Sequence, residues 1–151
     1  FWEFSLATYK VDGVAEAALA VQDQLGLDIN LILYASWLAS LGLKLTGEHL
    51  VGLESRIGRW QGEVVIPLRA VRRELKGITD VGLLLDQVKD IELSCEKRQQ
   101  HMMWEYFNAT EALKTEGETL HENLNLLLAP EMAEKASWCL LEVELLGASR
   151  G

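Results

Sequence analysis

The sequence predicts an all-α fold: a single-domain helical bundle of about seven or eight helices, with one buried central helix and one long helix. The chain has 151 residues, which is the usual length of one domain. Leucine, a strong helix former, occurs 28 times, against 22 for the strand-favouring Val, Ile and Thr together. Apolar residues recur every three or four positions in segments that Gly or Pro separates, which is typical of amphipathic helices.

The first three predicted helices are defined by their end signals. The segment 1–9 is short and rich in aromatic residues. A second helix, 14–25, follows Asp12 as its cap and precedes a glycine that stops it. Asp28 caps the third helix, 29–41, which is apolar nearly all round and is therefore the predicted central helix.

The next two helices follow from similar signals. Thr46 caps a fourth helix over 47–58, and Gly62 marks a loop after it. The fifth helix spans 65–76, and Pro67 suits its first turn because an N–H group is unpaired there in any case.

The last three helices cover the second half of the chain. The sixth runs from 81 towards 116, roughly 50 Å at about 1.5 Å per residue, with a break expected near Asn108. Helices over 118–128 and 131–146 complete the chain. No alternating pattern predicts a strand. The chain is expected to form one domain over 1–151.

Charge and cysteine content limit the classes of function. The chain has 14 basic and 23 acidic residues, a net charge of −9, which argues against general binding of nucleic acid. Residues 77–151 carry −8 of this charge. The two cysteines, Cys95 and Cys139, lie among apolar residues and indicate reduced thiols in a cytoplasmic protein. No apolar stretch reaches the length that a membrane span requires.

The sequence lacks complete motifs for metal-dependent catalysis and for phosphate binding. Glu118 and His121 form one Glu-x-x-His pair, whereas a di-iron bundle needs two such pairs and two further glutamates. No glycine-rich phosphate loop occurs. The sequence therefore assigns no catalytic residue, no cofactor and no metal ligand, and it favours a protein that is not an enzyme.

The strongest local feature is a basic stripe on the fifth helix. Its members fall within an arc of roughly 100°, and they are Arg69, Arg72, Arg73 and Lys76. The adjoining arc is apolar and is expected to face the core; it holds Leu68, Val71 and Leu75. We predict a binding or regulatory module that docks an acidic protein segment or another anion through this stripe. The other interpretation is that the acidic half of the same chain neutralises it.

Two alternatives remain open. In the first, a small enzyme or ligand carrier has a pocket between the N-terminal aromatic segment and the central helix, lined by Asn30, Tyr34 and Trp37. Asn30 has a second interpretation, in which its amide ties the start of the central helix to a neighbouring loop. In the second alternative, the chain self-associates through the long sixth helix.

Several spaced segments carry a family resemblance, namely Phe1-Trp2-Glu3-Phe4, Asp28-Ile29-Asn30 and Val64-Val65-Ile66-Pro67-Leu68-Arg69 with Arg72-Arg73. Together they resemble an uncharacterised proteobacterial family of small helical proteins, a domain of unknown function. The resemblance implies a bacterial, cytoplasmic helical protein. It carries over no catalytic residue.

Overall fold

The computed structural model describes residues 1–110, 113–114, 120–129, 141 and 144–146. It confirms the all-α helical bundle. The helices of this part of the chain are α1 (Trp2–Tyr9), α2 (Val14–Leu25), α3 (Ile29–Ser40), α4 (Gly47–Trp60), α5 (Ile66–Lys76), α6 (Gly82–Ala109) and α7 (Leu120–Asn125). Two strands of two residues each, β1 (Leu43–Lys44) and β2 (Leu113–Lys114), pair antiparallel.

The chain divides into two compact units. The first unit holds Phe1–Leu50 and Thr110–Gly151, and the second holds Val51–Ala109. One domain over 1–151 stays a prediction. No helix within the described residues combines the length and the apolar character that a bilayer crossing requires.

Helix α3 is the centre of the first unit, as predicted. It contacts α1, α2, α7 and β1. The side chains of Ile29, Asn30 and 32–38 are buried. Its predicted cap is confirmed, because the Asp28 Oδ1 atom accepts a hydrogen bond of 2.9 Å from the backbone N–H of Asn30. A helix buried on nearly all sides is what its apolar sequence requires.

Asn123 of α7 joins three parts of the first unit through one buried amide. Its Oδ1 atom accepts a hydrogen bond of 2.7 Å from the backbone N–H of Leu45. Its Nδ2 group donates to the carbonyl oxygens of Ala35 at 3.2 Å and Leu43 at 3.0 Å. The amide therefore connects α7 to α3, to β1 and to the residue that follows β1.

The second unit is a helical hairpin. Most of α4, a π-helical turn (Gln61–Val65) and α5 follow one another without a break, and α6 returns beside them. The predicted loop at Gly62 is therefore wrong. Pro67 explains the π turn, because proline lacks an N–H group and its ring clashes with the preceding turn of a regular α-helix. A wider turn just before it relieves that clash.

Several predicted ends differ from the observed ones. Asp12 does not cap α2, since the cap is Gly13, with a φ of 87° and no side-chain hydrogen bond. Thr46 caps α4 as predicted, because its Oγ1 atom accepts from the backbone N–H of His49 at 3.2 Å. Helix α6 ends at Ala109, close to the expected break, and 113–114 form a strand where helix was predicted. The eighth predicted helix, 131–146, lies mostly outside the described residues.

Replacing Asn123 by Ala is expected to lower the free energy of unfolding by about 3 kcal/mol, because it removes three buried hydrogen bonds, among them the one from the backbone N–H of Leu45. Urea denaturation measures this loss. The matched control is Asn125→Ala, which removes an exposed amide from the same helix and should cost less than about 0.5 kcal/mol. Equal losses for the two variants would contradict the role assigned to Asn123.

Candidate functional site

Four charged side chains form an ion-pair cluster between α5 and α6, and they are Arg69, Arg72, Glu92 and Glu96. The Arg69 Nη2 atom lies 3.0 Å from the Glu96 Oε1 atom, and its Nε atom lies 3.5 Å from the Glu92 Oε1 atom. Arg72 donates from Nε to the other oxygen of Glu92. Glu92 therefore bridges two guanidinium groups, one on each of its oxygens.

The ion-pair cluster is largely shielded from water. The side chains of Arg69 and Glu92 are 11% and 8% exposed. A buried charge is tolerated when an opposite charge and hydrogen bonds compensate its lost hydration, and each member of the cluster has such a partner. Arginine suits this role because its planar guanidinium group can bind more than one carboxylate oxygen at a time.

The basic stripe is thus divided by the structure. Arg69 and Arg72 bind the chain's own acidic helix, which is the intramolecular interpretation of the stripe. Arg73 and Lys76 are exposed near the end of α5. The cluster also corrects the predicted core face of α5, because Arg69 is buried while Val71 is 47% exposed. Helix α5 has to turn its arginines towards Glu92, and this rotates the apolar arc away from α6.

Helix α6 shows the same rotation. Its apolar residues at three-or-four spacing include Leu84, Val88 and Ile91. Only Val88 of these three is buried, whereas Leu84 is 48% and Ile91 is 51% exposed. The inward face also holds Glu92 and the fully buried Gln99. The hairpin therefore buries charged and polar groups together with apolar ones such as Ile57 and Met103, and it leaves other apolar side chains on its surface.

The residues of the candidate pocket, Asn30, Tyr34 and Trp37, all lie on α3 and are buried. The ring of Phe1 stacks on Trp37 at a centroid distance of 5.2 Å and meets Tyr34 edge-on at 5.6 Å. The aromatic segment and the central helix are thus packed against each other. This arrangement supplies apolar packing energy at the place where a ligand pocket was expected.

His49 was missed by sequence reasoning, and it completes this aromatic cluster. Its Nε2 atom lies 2.7 Å from the Tyr34 hydroxyl, and its Nδ1 atom lies 3.5 Å from Thr110 Oγ1. Burial lowers the pKa of His49 below 6.5, which favours the neutral ring. In a neutral ring one nitrogen donates and the other accepts, and the hydroxyls of Tyr34 and Thr110 can fill either role opposite them. The sequence offered one signal for its location: His49 lies three residues after the Thr46 cap, and so in the first turn of α4.

Potential metal ligands and one cysteine lie within the part of the chain that the structure describes. No group of three His, Cys, Asp or Glu side chains there lies close enough to hold a metal ion. Cys95 is a free thiol on α6. Its backbone carbonyl accepts a hydrogen bond of 3.0 Å from the indole N–H of Trp60. Glu118 and Cys139 lie outside the described residues.

Fold and site together define a small all-α protein whose helical hairpin encloses a cluster of ion pairs. Residues 1–103 match the family model described as "Protein of unknown function (DUF2390)", and the chain belongs to this family. The match includes all four residues of the ion-pair cluster. Searches of curated proteins and of solved structures find no match.

Replacing Glu92 by Gln is expected to lower the free energy of unfolding by about 3–5 kcal/mol, because two partly buried arginines lose their shared carboxylate charge. Chemical denaturation measures the change. The control is Glu63→Gln, which breaks an exposed pair with Arg59 and should cost less than about 1 kcal/mol. A loss for Glu92→Gln as small as that of the control would show that the cluster does not stabilise the fold.

The protein is expected to lose stability as the pH falls below 6.5 because of His49. Its pKa is lowered in the folded chain, so below 6.5 the unfolded chain binds more protons than the folded one. Stability from this group is complete above 6.5 and is lost as the pH falls towards the folded pKa. Urea denaturation at about pH 7.5 and about pH 5.5 should show a smaller loss for His49→Gln than for the wild type. Equal losses would contradict this assignment.

Proposed function

We propose that the protein is a non-enzymatic binding module that docks an acidic protein segment through the exposed cations of α5. The observation that carries the proposal is the division of the basic stripe. The side chains of Arg69 and Arg72 are largely shielded from water in the ion-pair cluster, whereas those of Arg73 and Lys76 are exposed to it on the same helix. The docking site is therefore these last two residues, at the end of the hairpin.

The charge distribution supports this location. Residues 56–76 carry six basic and two acidic side chains, although the chain as a whole has a net charge of −9. Salt screens charges over about 8–10 Å, so a local cationic surface can attract a carboxylate-rich segment despite the overall negative charge. The ion-pair cluster fixes the rotation of α5, and so the two exposed cations are presented by a rigid helix.

The alternative of a ligand carrier has less support. Tyr34 is fully buried, and Phe1 of the N-terminal aromatic segment packs on Trp37 of the central helix. The hydrogen bond between Tyr34 and His49 connects α3 to the first turn of α4, which is a structural role. A bacterial, cytoplasmic site of action belongs to the proposal; the family resemblance implies it, and the free thiol of Cys95 is consistent with it.

The double substitution Arg73→Glu with Lys76→Glu tests the proposal and leaves the ion-pair cluster intact. The probe is a fluorescein-labelled, glutamate-rich amphipathic peptide, and its affinity is measured by fluorescence anisotropy. We expect the dissociation constant to rise about 5- to 20-fold, because two exposed charge pairs contribute on the order of 1–2 kcal/mol together. Binding of the wild type should also weaken as salt is added.

The control is Arg59→Glu, which reverses an exposed cation of α4 outside the stripe. It should leave peptide affinity within about 2-fold of the wild type. A lysine-rich peptide of the same pattern should not bind. Equal affinity of the double variant and the wild type, or equal binding of both peptides, would contradict docking at Arg73 and Lys76.

A further inference from the structure

The hairpin exposes an apolar face that the ion-pair cluster displaces from its interior. We define the apolar face as Val71, Ile78, Leu84 and Ile91, which are 47–55% exposed. The half-buried Leu68 and Leu75 border it. In an ordinary two-helix contact, side chains of this size would face the partner helix, so their exposure here requires an explanation.

The helical geometry places Val71, Leu84 and Ile91 on one side of the hairpin, and Ile78 lies in the turn between α5 and α6. At 100° per residue, the apolar arc of α5 is centred about 100° from its two arginines, and the pair Leu84 and Ile91 on α6 lies about 70° from the inward residues Val88 and Glu92. Both offsets have the same direction of rotation when each helix is viewed along its own axis from the N-terminus. Because α5 and α6 run antiparallel, offsets of the same sense bring the two apolar arcs to the same side.

We propose that this apolar face is the contact between two copies of the chain, which pack hairpin on hairpin into a four-helix bundle. A two-helix hairpin with an apolar side is half of such a bundle. The hairpin also exposes Ile66, Leu83 and Leu93 elsewhere on its surface. A two-fold axis brings the same face of each copy together, so the surface needs no partner other than itself. The inference is independent of the docking of acidic segments at Arg73 and Lys76.

The area of the apolar face is comparable to the apolar area that a dimer of this chain would bury. Four half-exposed Val, Leu and Ile side chains offer on the order of 400 Å² of apolar surface per copy. A standard interface buries about 800 Å² per partner, of which roughly 60% is apolar. The face thus supplies most of the apolar area that a stable dimer requires.

Charge also favours a second copy over a charged partner. On the side of α6 that carries the apolar face, the charged residues Glu105 and Arg98 form a pair at 3.8 Å. The whole hairpin unit, Val51–Ala109, has nine basic and nine acidic residues. A second copy therefore meets no net repulsion there, and a strongly charged partner gains no attraction.

Sedimentation analysis of the full chain tests the dimer. We expect wild-type dimers at about 100 µM, and we expect Leu84→Glu with Ile91→Glu to raise the dimer dissociation constant at least about 100-fold. Leu19→Glu is the matched control, because Leu19 is an exposed leucine of α2 in the other unit, and it should leave the dimer unchanged. Circular dichroism shows whether each variant is folded. If the glutamate pair is unfolded, the milder pair Leu84→Ser with Ile91→Ser is used in its place.

A wild-type chain that is monomeric at this concentration, or a dimer that the folded variants leave intact, would overturn the proposal. The location is tested by Ile91→Cys in a background with Cys95→Ser and Cys139→Ser. Maleimide labelling at position 91 should slow as protein concentration rises, whereas labelling of Leu19→Cys in the same background should not. A labelling rate at 91 that is independent of concentration contradicts the interface. If the chain is monomeric and still binds the glutamate-rich peptide, the dimer is overturned and the docking of acidic segments is not.

Discussion

Glu92 binds Arg69 and Arg72 at once, and this shared carboxylate determines how α5 and α6 meet. A guanidinium group that leaves water has to find a carboxylate, because an unpaired buried charge is far more costly than an exposed apolar side chain. Both arginines come from the same face of α5, so satisfying them fixes the rotation of that helix about its axis. Val71 and Ile91 then remain exposed as a direct consequence.

A buried ion pair is weak support for stability, since well-packed apolar residues of the same volume often stabilise a fold as much or more. Its effect here is geometric. An apolar contact between α5 and α6 would tolerate sliding and rotation, whereas Glu92 accepts hydrogen bonds only from donors placed at both of its oxygens. The hairpin therefore has one defined orientation, and the exposed groups at its end and on its apolar face are held in fixed positions.

Sequence patterns predicted the features that depend on local chemistry. The caps at Asp28 and Thr46 and the buried character of α3 follow from neighbouring residues, and all three are confirmed. The rotation of α5 was predicted wrongly, because periodicity assigns the apolar arc to the core and contains no information about an acidic partner 20 residues away. The histidine at position 49 and the amide at position 123 were missed for the same reason: their partners are distant in the sequence.

The net charge of −9 is distributed unevenly between the two units of the fold. By halves of the sequence, the negative charge belongs to residues 77–151. By units of the fold, the hairpin Val51–Ala109 is neutral, and the whole excess of negative charge lies in the unit that holds both termini. Charge repulsion opposes association of like surfaces, so an acidic surface is a poor place for a second copy or for a carboxylate-rich segment. The hairpin is the one of the two units with balanced charge, and its exposed groups include the cations at the end of α5 and the apolar face. The ion pairs of Arg69 and Arg72 with Glu92 fix the rotation of α5. In this orientation Val71, Arg73 and Lys76 lie at the surface.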